Sequence, residues 1–213
     1  MTNQIGFEFP QPLTEKYRPT RIADFAGLDK PKKIMSKLAA NPFPSAWLFT
    51  GPSGTGKTTM ALALAAEMQA ELHHVPSQSC NLETIERIRR TCQYVPMQGC
   101  KYHLVLIDEV DRISPAAQIA LLSKLDATDF PPNTIFVATS NDISNLEGRL
   151  VSRFHVLEFS SYGLSEQVAD LLRRVWTSET DSPDMPDFKR LVKNAGNNVR
   201  SALMALETEL MAC

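Results

Sequence analysis

Gly51-Pro-Ser-Gly-Thr-Gly-Lys-Thr-Thr59 follows the apolar run Ala46-Trp47-Leu48-Phe49 and precedes an alanine-rich segment that starts at Met60. Strand, glycine loop and helix in that order are what a phosphate-binding loop requires. Glycines let the backbone turn tightly, so that the loop Gly51, Pro52, Ser53, Gly54, Thr55 and Gly56 can aim its N–H groups inward at an anion. The N-terminus of the helix into which the loop leads, through Lys57, Thr58 and Thr59, adds unpaired donors and a partial positive charge. Lys57 can then reach the outer phosphates, and the Thr58 hydroxyl can ligate a magnesium ion. The pattern points to a bound nucleoside triphosphate. An ordinary glycine-rich turn is the bland alternative, and the flanking strand and helix weigh against it.

With 213 residues, 43% of them hydrophobic, the chain has room for one good core and a small second one. Charged residues make up 22% and the net charge is −2, so no global basic field advertises nucleic acid. Any DNA contact has to come from a local patch. The four cysteines, Cys80, Cys92, Cys100 and Cys213, lack the paired short spacing of a zinc site and are too scattered for a disulfide framework. They read as reduced, partly buried thiols. The first ten residues have no basic start followed by an apolar core, and no apolar stretch approaches membrane-spanning length. The expectation is a soluble, cytoplasmic protein that makes no membrane contact.

The remaining pattern alternates. Residues 1–20 are polar and proline-rich, an arm rather than a core element. Apolar spacing predicts a helix over 30–40, a strand over 46–50, a continuation of the loop helix over 60–69, a short strand over 72–75 and a helix over 82–93. The run Leu104-Val-Leu-Ile107 is a buried strand, and Ser114-Pro115 starts another helix, serine as cap and proline in the first turn. Strands follow at 134–138 and 156–159. Alternation of this kind implies a parallel sheet covered on both faces, an α/β domain over residues 21–160. After Ser160 only helices are predicted, over 165–177, 186–195 and 198–211, enough for a small three-helix lid over 161–213.

The strand at 104–107 ends in Asp108-Glu109-Val110-Asp111. An apolar strand ending in paired acids is what a P-loop ATPase places opposite its phosphate loop. Asp108 can hold the magnesium, and Glu109 can orient and polarise the attacking water. Asn141, at the tip of the next strand, can position that water and sense the γ-phosphate.

Taken together, these motifs make the chain resemble an AAA+ ATPase of the DNA polymerase clamp-loader group. Glu15-Lys-Tyr-Arg-Pro19 resembles the N-terminal box of replication factor C small subunits, which implies that Tyr17 and Arg18 pack beside the adenine of ATP. Phe25-Ala-Gly-Leu28 follows at the expected place, Gly51–Thr59 matches Walker A, Asp108–Asp111 the Walker B acids, and Asn141 sensor 1. Ser152-Arg153-Phe154 is similar to the Ser-Arg-Cys motif, with phenylalanine for cysteine, and implies that Arg153 acts as a finger in a neighbouring subunit's ATP site. Arg149, one helical turn earlier, is the fallback. A permanently charged, bidentate guanidinium suits such a role. Gly196-Asn-Asn-Val-Arg200 resembles sensor 2 and implies that Arg200 touches the phosphates in cis.

The resemblance covers nearly the whole chain, with two departures. The collar domain that follows the lid in clamp loaders has no counterpart before Cys213. Where a DNA-facing helix of the group carries paired arginines, this chain has Leu122-Ser123, leaving Lys124 as a partial substitute and Arg87, Arg90, Lys101 and Arg112 as other candidate phosphate contacts. The expected function is a magnesium-dependent ATP hydrolase working at the interfaces of a homo- or hetero-oligomer. DNA and a sliding clamp or other replication protein are the implied partners. The alternative is an ATP-gated assembly scaffold in which hydrolysis is secondary. A small-molecule kinase fits the loop alone and is disfavoured by Asn141, Arg153 and Arg200 together.

Overall fold

The computed structural model describes residues 11–96, 99–126 and 128–212. Helices α1 (Leu13–Lys16) and α2 (Asp29–Ala40) precede strand β1 (Ser45–Thr50). Then α3 (Lys57–Glu67) leads to β2 (Glu71–Pro76), α4 (Leu82–Cys92) to β3 (His103–Asp108), α5 (Pro115–Lys124) to β4 (Thr134–Ser140), and the short α6 (Gly148–Val151) to β5 (His155–Glu158). Helices α7 (Ser165–Glu179), α8 (Phe188–Asn194) and α9 (Val199–Ala212) complete the described chain. Every strand pairing is parallel, in the order β2-β3-β4-β1-β5. This is the helix-flanked parallel sheet, followed by three helices, that the alternating pattern implied.

Each strand feeds both faces because successive side chains point to opposite sides. On one face Phe49, Leu104, Leu106, Ile135, Val137 and Leu157 pack with α2, α3 and the three C-terminal helices. On the other, Leu48, Val105, Ile107, Phe136 and Ala138 pack under α4, α5 and α6. Continuous apolar runs such as 104–107 follow directly from double-sided burial. The order of the strands puts β1 between β4 and β5, so the chain leaves β1 for the far edge and later returns beside it. Crevices in such sheets open at the carboxyl ends of the strands, where the connections diverge.

Helix starts follow their caps. Ser114 Oγ accepts from Ala117 N with Pro115 in the first turn, Asn81 Oδ1 accepts from Thr84 N, and Asp187 Oδ1 from Arg190 N. The Asp187 cap explains why α8 begins at Phe188 rather than at Pro186. Strands β2, β3 and β4 extend past their apolar runs because backbone pairing continues through His103, Asp108, Thr139 and Ser140. The stretch read as an arm contributes a core residue: Leu13 is buried, and its N–H donates to Glu207 Oε1 on α9 at 3.0 Å. Cys80 and Cys92 are buried and Cys100 half-buried, all as free thiols. Among the described residues no helix is long and apolar enough to cross a membrane.

Candidate nucleotide-binding site

The phosphate loop leaves β1 at Thr50 in a conformation built on positive φ, 143° at Gly51 and 74° at Gly54. A Cβ at Gly51 would lie 2.1 Å from the Phe159 carbonyl oxygen, and one at Gly54 would lie 2.1 Å from Asn198 Oδ1. Space as well as backbone angle therefore requires glycine at Gly51, whereas at Gly54 the backbone angle favours it and the Asn198 amide would have to move for any other residue. The loop closes on itself through Thr55 Oγ1, which donates to the Pro52 carbonyl at 2.8 Å. Helix α3 then starts at Lys57 with its N-terminus facing the loop.

Lys57 folds its ammonium back over the loop, donating to Gly51 O at 2.7 Å, Pro52 O at 2.8 Å and Asn141 Oδ1 at 3.0 Å. Burial pushes its pKa below the ordinary lysine value, opposed by the charges of Asp111 and Asp108. At the end of β3, Asp108 Oδ1 accepts from Thr58 Oγ1 at 2.8 Å and from Thr139 Oγ1. The same Thr139 hydroxyl accepts from the Glu109 backbone N–H at 3.0 Å, so one side chain holds the Asp108 carboxylate and the backbone of the next residue. Glu109 turns at φ 53°, and its carboxylate pairs with Arg112 at 3.2 Å. Cis positions of an octahedron with magnesium–oxygen bonds of 2.0–2.1 Å are about 2.9 Å apart. Thr58 Oγ1 and Asp108 Oδ1, 2.8 Å apart as an ordinary hydroxyl–carboxylate hydrogen bond, are adjacent hard oxygen donors already near that spacing, the donor type Mg²⁺ takes.

Two adjoining cavities meet over the loop. One, of about 160 Å³, is lined by Lys57, Thr58, Asp108, Glu109, Asn141 and Arg200. The other, of about 260 Å³, is a slot between Tyr17, Arg18, Phe25, Leu164, Val199 and Leu203. Gly54, Gly56, Thr59 and Arg200 border both. A polar end with a lysine and paired acids suits a polyphosphate, and a mostly apolar slot beside it suits a flat base. The slot's N-terminal wall is pinned: Tyr17 OH donates to Glu179, and Lys16 Nζ pairs with the same carboxylate at 2.8 Å. Burial, reinforced by that hydrogen bond, raises the Tyr17 pKa and keeps the hydroxyl a donor. On the opposite side Asn198 Nδ2 donates to Ser53 O at 2.8 Å while Asn198 Oδ1 accepts from Ser201 N at 3.1 Å, tying the loop to the start of α9.

The structure thus gathers the Walker residues, Asn141, Arg200, Tyr17 and Arg18 around one pair of cavities. Arg153 stands apart from both. Its guanidinium pairs with Asp126 of the same chain at 2.6 Å, and Arg149 is exposed on α6. Lys124 is not the accessible cation expected of it, since Glu86 at 3.0 Å and Asp129 at 3.1 Å hold its ammonium. Arg87, Arg90 and Lys101 are exposed. Three contributors were not singled out from the sequence. These are Thr139, which joins the acids; Asn198, which joins loop to α9; and Asp111, whose buried Oδ1 has no hydrogen-bond partner among the described residues. A polar residue at the strand end two positions before Asn141 was the available signal for Thr139, while Asp111 and Asn198 lay inside the acid block at 108–111 and the segment at 196–200 without a role of their own.

The chain belongs to the AAA family of ATPases. The family profile described as "ATPase family associated with various cellular activities (AAA)" matches residues 47–162. More particularly, the chain is related to replication factor C small subunits. It is 32% identical over 172 residues to small subunit 1 of Pyrobaculum arsenaticum, covering 78% of this chain and 51% of that protein. To the small subunit of Halobacterium salinarum it is 29% identical over 202 residues, covering 91% of this chain and 61% of that protein. The chain therefore spans 51% and 61% of the length of these two relatives. In fold it is similar to a variant of RuvB from Thermotoga maritima, with a TM-score of 0.74 at 22% identity over 92% of this chain and 65% of that one. The RuvB described as a Holliday junction branch migration motor gives a TM-score of 0.71 at 24% identity, again over 92% and 65%.

Proposed function

We propose that this chain is an ATP-hydrolysing subunit of a clamp-loader-like assembly that acts on DNA in replication. One observation carries the reading. Hydrogen bonds from Lys57 to Asn141 and from Thr58 to Asp108 join the phosphate loop, β4 and β3 into a single polar pocket that Arg200 enters from α9. In this reading the base of ATP lies in the slot beside Tyr17 and Arg18, and Lys57 meets the outer phosphates. Thr58 and Asp108 hold Mg²⁺, which supplies charge neutralisation on the phosphoryl oxygens. Glu109 polarises the attacking water, Asn141 positions it, and Arg200 couples the angle of the C-terminal helices to the phosphates.

Arg153 serves the ATP site of a neighbouring subunit once released from Asp126, so that hydrolysis depends on assembly. The similarity to replication factor C small subunits supports DNA, a sliding clamp or another replication protein, and a homo- or hetero-oligomer as partners. Steady-state ATP turnover per subunit should rise with protein concentration and with primed DNA. Turnover that stays flat across dilution and ignores DNA would sink the reading.

A second reading is favoured by two ion pairs. Glu109 with Arg112 at 3.2 Å and Arg153 with Asp126 at 2.6 Å engage both hydrolytic residues within the chain. An ATP-gated scaffold would tolerate that. Sizing the protein with a non-hydrolysable ATP analogue, beside a Glu109→Gln variant, separates the two. Assembly with full function in Glu109→Gln favours the scaffold, and assembly with function lost favours the motor.

A further inference from the structure

At the end of the sheet opposite the phosphate loop, β2 and β3 begin side by side with Glu71 in register with His103. His73 follows on the edge strand, and Cys92, the last residue of α4, descends onto the pair. The ligand atoms of His73, Cys92 and His103 all lie within 4.8 Å of one another, with His73 Nε2 and His103 Nδ1 3.0 Å apart. The Glu71 carboxylate lies 3.6 Å from His103 Nδ1 and 4.0 Å from His73 Nε2. Cys92 and His103 are buried.

The orientation of His103 is informative. Its Nε2 is 3.0 Å from the Tyr94 carbonyl oxygen, which can only accept, so Nε2 carries hydrogen and donates. In the neutral ring Nδ1 is then a lone pair that accepts from His73 Nε2–H at 3.0 Å, a hydrogen that moves to His73 Nδ1 when both nitrogens turn to an ion. A metal-bound histidine is held in this way, its second nitrogen donating to a carbonyl. A thiolate, two imidazoles and a carboxylate are the donor set of a borderline-soft ion. Tetrahedral zinc with bonds of 2.0–2.3 Å sets its ligand atoms about 3.3–3.8 Å apart. The ligand atoms of His73, Cys92 and His103 span 3.0 Å to 4.8 Å, so closing that trio takes shifts of about an ångström, and Glu71 reaches the two rings through different oxygens at 3.6 Å and 4.0 Å and must turn to give one of them to the ion.

We propose that His73, Cys92 and His103, with the Glu71 carboxylate as fourth ligand, form a zinc site that clamps the end of α4 to the edge of the sheet. With four protein ligands the site is structural rather than catalytic. On binding, the Cys92 sulfur exchanges its proton for the ion and the proton leaves to solvent.

Cobalt titration of the full, reduced chain tests the proposal independently of ATP chemistry. The expected result is a single saturable Co²⁺ site with tetrahedral visible bands and a near-ultraviolet thiolate-to-cobalt charge-transfer band, both abolished by added Zn²⁺. Cys92→Ser should remove the charge-transfer band, and His73→Gln should weaken cobalt binding by about a hundredfold, the upper end of what even outer-shell changes cost. Cys80→Ser, Cys100→Ser and Lys57→Ala should leave the spectrum unchanged. Should Cys92→Ser fail to fold, the half-buried His73→Gln carries the test alone. A missing charge-transfer band in the natural chain, one that survives in Cys92→Ser, or unchanged cobalt affinity in His73→Gln overturns the assignment.

Discussion

Gly54→Ala offers a quantitative test of how the phosphate loop is coupled to α9. The new Cβ faces two obstacles, a backbone φ of 74° and Asn198 Oδ1 at 2.1 Å. Holding a non-glycine residue in the left-handed region costs about 1–2 kcal/mol. The asparagine amide can swing away from the methyl, but it then releases both the Ser201 N–H it caps and the Ser53 carbonyl it holds. Loss of a cap costs about 1 kcal/mol and a partly exposed hydrogen bond about 0.5 kcal/mol. Gly54→Ala should therefore destabilise the nucleotide-free protein by about 3 kcal/mol in urea unfolding. In an Asn198→Ala background the clash is gone and only backbone strain remains, so the same substitution should cost about 1–2 kcal/mol. The double-mutant cycle then yields a coupling of about 1–1.5 kcal/mol, outside the ~0.5 kcal/mol within which independent sites add. Additive costs would refute the claim that Asn198 is what Gly54 must avoid.

Arg153→Ala should lower ATP turnover by roughly 10³–10⁵ while leaving ATP affinity nearly intact, as for a finger acting in trans; a large loss of affinity would place the residue in cis instead. Thr139→Val removes the hydroxyl that Asp108 and the Glu109 N–H share, and should raise the Mg²⁺ concentration needed for half-maximal turnover about tenfold, the effect expected of a group that orients a metal ligand. Unchanged magnesium dependence would show that Asp108 needs no such partner. Glu179 is held below its ordinary value of 4.5 by the hydrogen bond from Lys16 and then by that from Tyr17. A depressed carboxylate stabilises the fold above its unfolded pKa and loses that contribution as pH falls through the lower folded value. Glu179→Gln should thus lower stability at neutral pH and flatten the acid limb of the melting-temperature profile below about pH 4.5; parallel acid limbs in the two proteins would count against the Tyr17–Glu179 tie.

What the sequence revealed and what it hid divide along a physical line. The loop at 51–59, the acids after β3 and Asn141 after β4 are each bound to an apolar run by a few residues of chain. A strand buried on both faces must be apolar throughout, and its polar ends must open at the same edge of a parallel sheet. Local pattern therefore suffices to place those groups together. Partners that meet only through packing leave no such trace. Asn198 reaches Ser53 across 145 residues, and Leu13, one apolar residue in a polar stretch, is buried against a helix that begins near residue 200. Short elements are equally opaque, since a four-residue helix such as α1 has too few turns to show a periodicity.

The same line separates the two clusters at opposite ends of the sheet. Asp108 and Thr58 were legible as candidate metal ligands because their order along the chain follows a familiar loop. His73, Cys92 and His103 lie on β2, α4 and β3, and no short spacing joins them, so a search for paired cysteines passes over them. Yet the parallel register that lines up Asp108 with Pro76 also lines up His103 with Glu71 five residues earlier. One pairing of two strands thus fixes both ends. The carboxyl end carries groups that must remain accessible to a nucleotide, and the amino end carries groups buried under α4. Strain or slippage between β2 and β3 would displace Asp108 from Thr58. The proposed clamp at the far end, holding α4 and both strands in register, would therefore bear directly on the geometry of the Thr58–Asp108 pair, at the full length of the sheet from it.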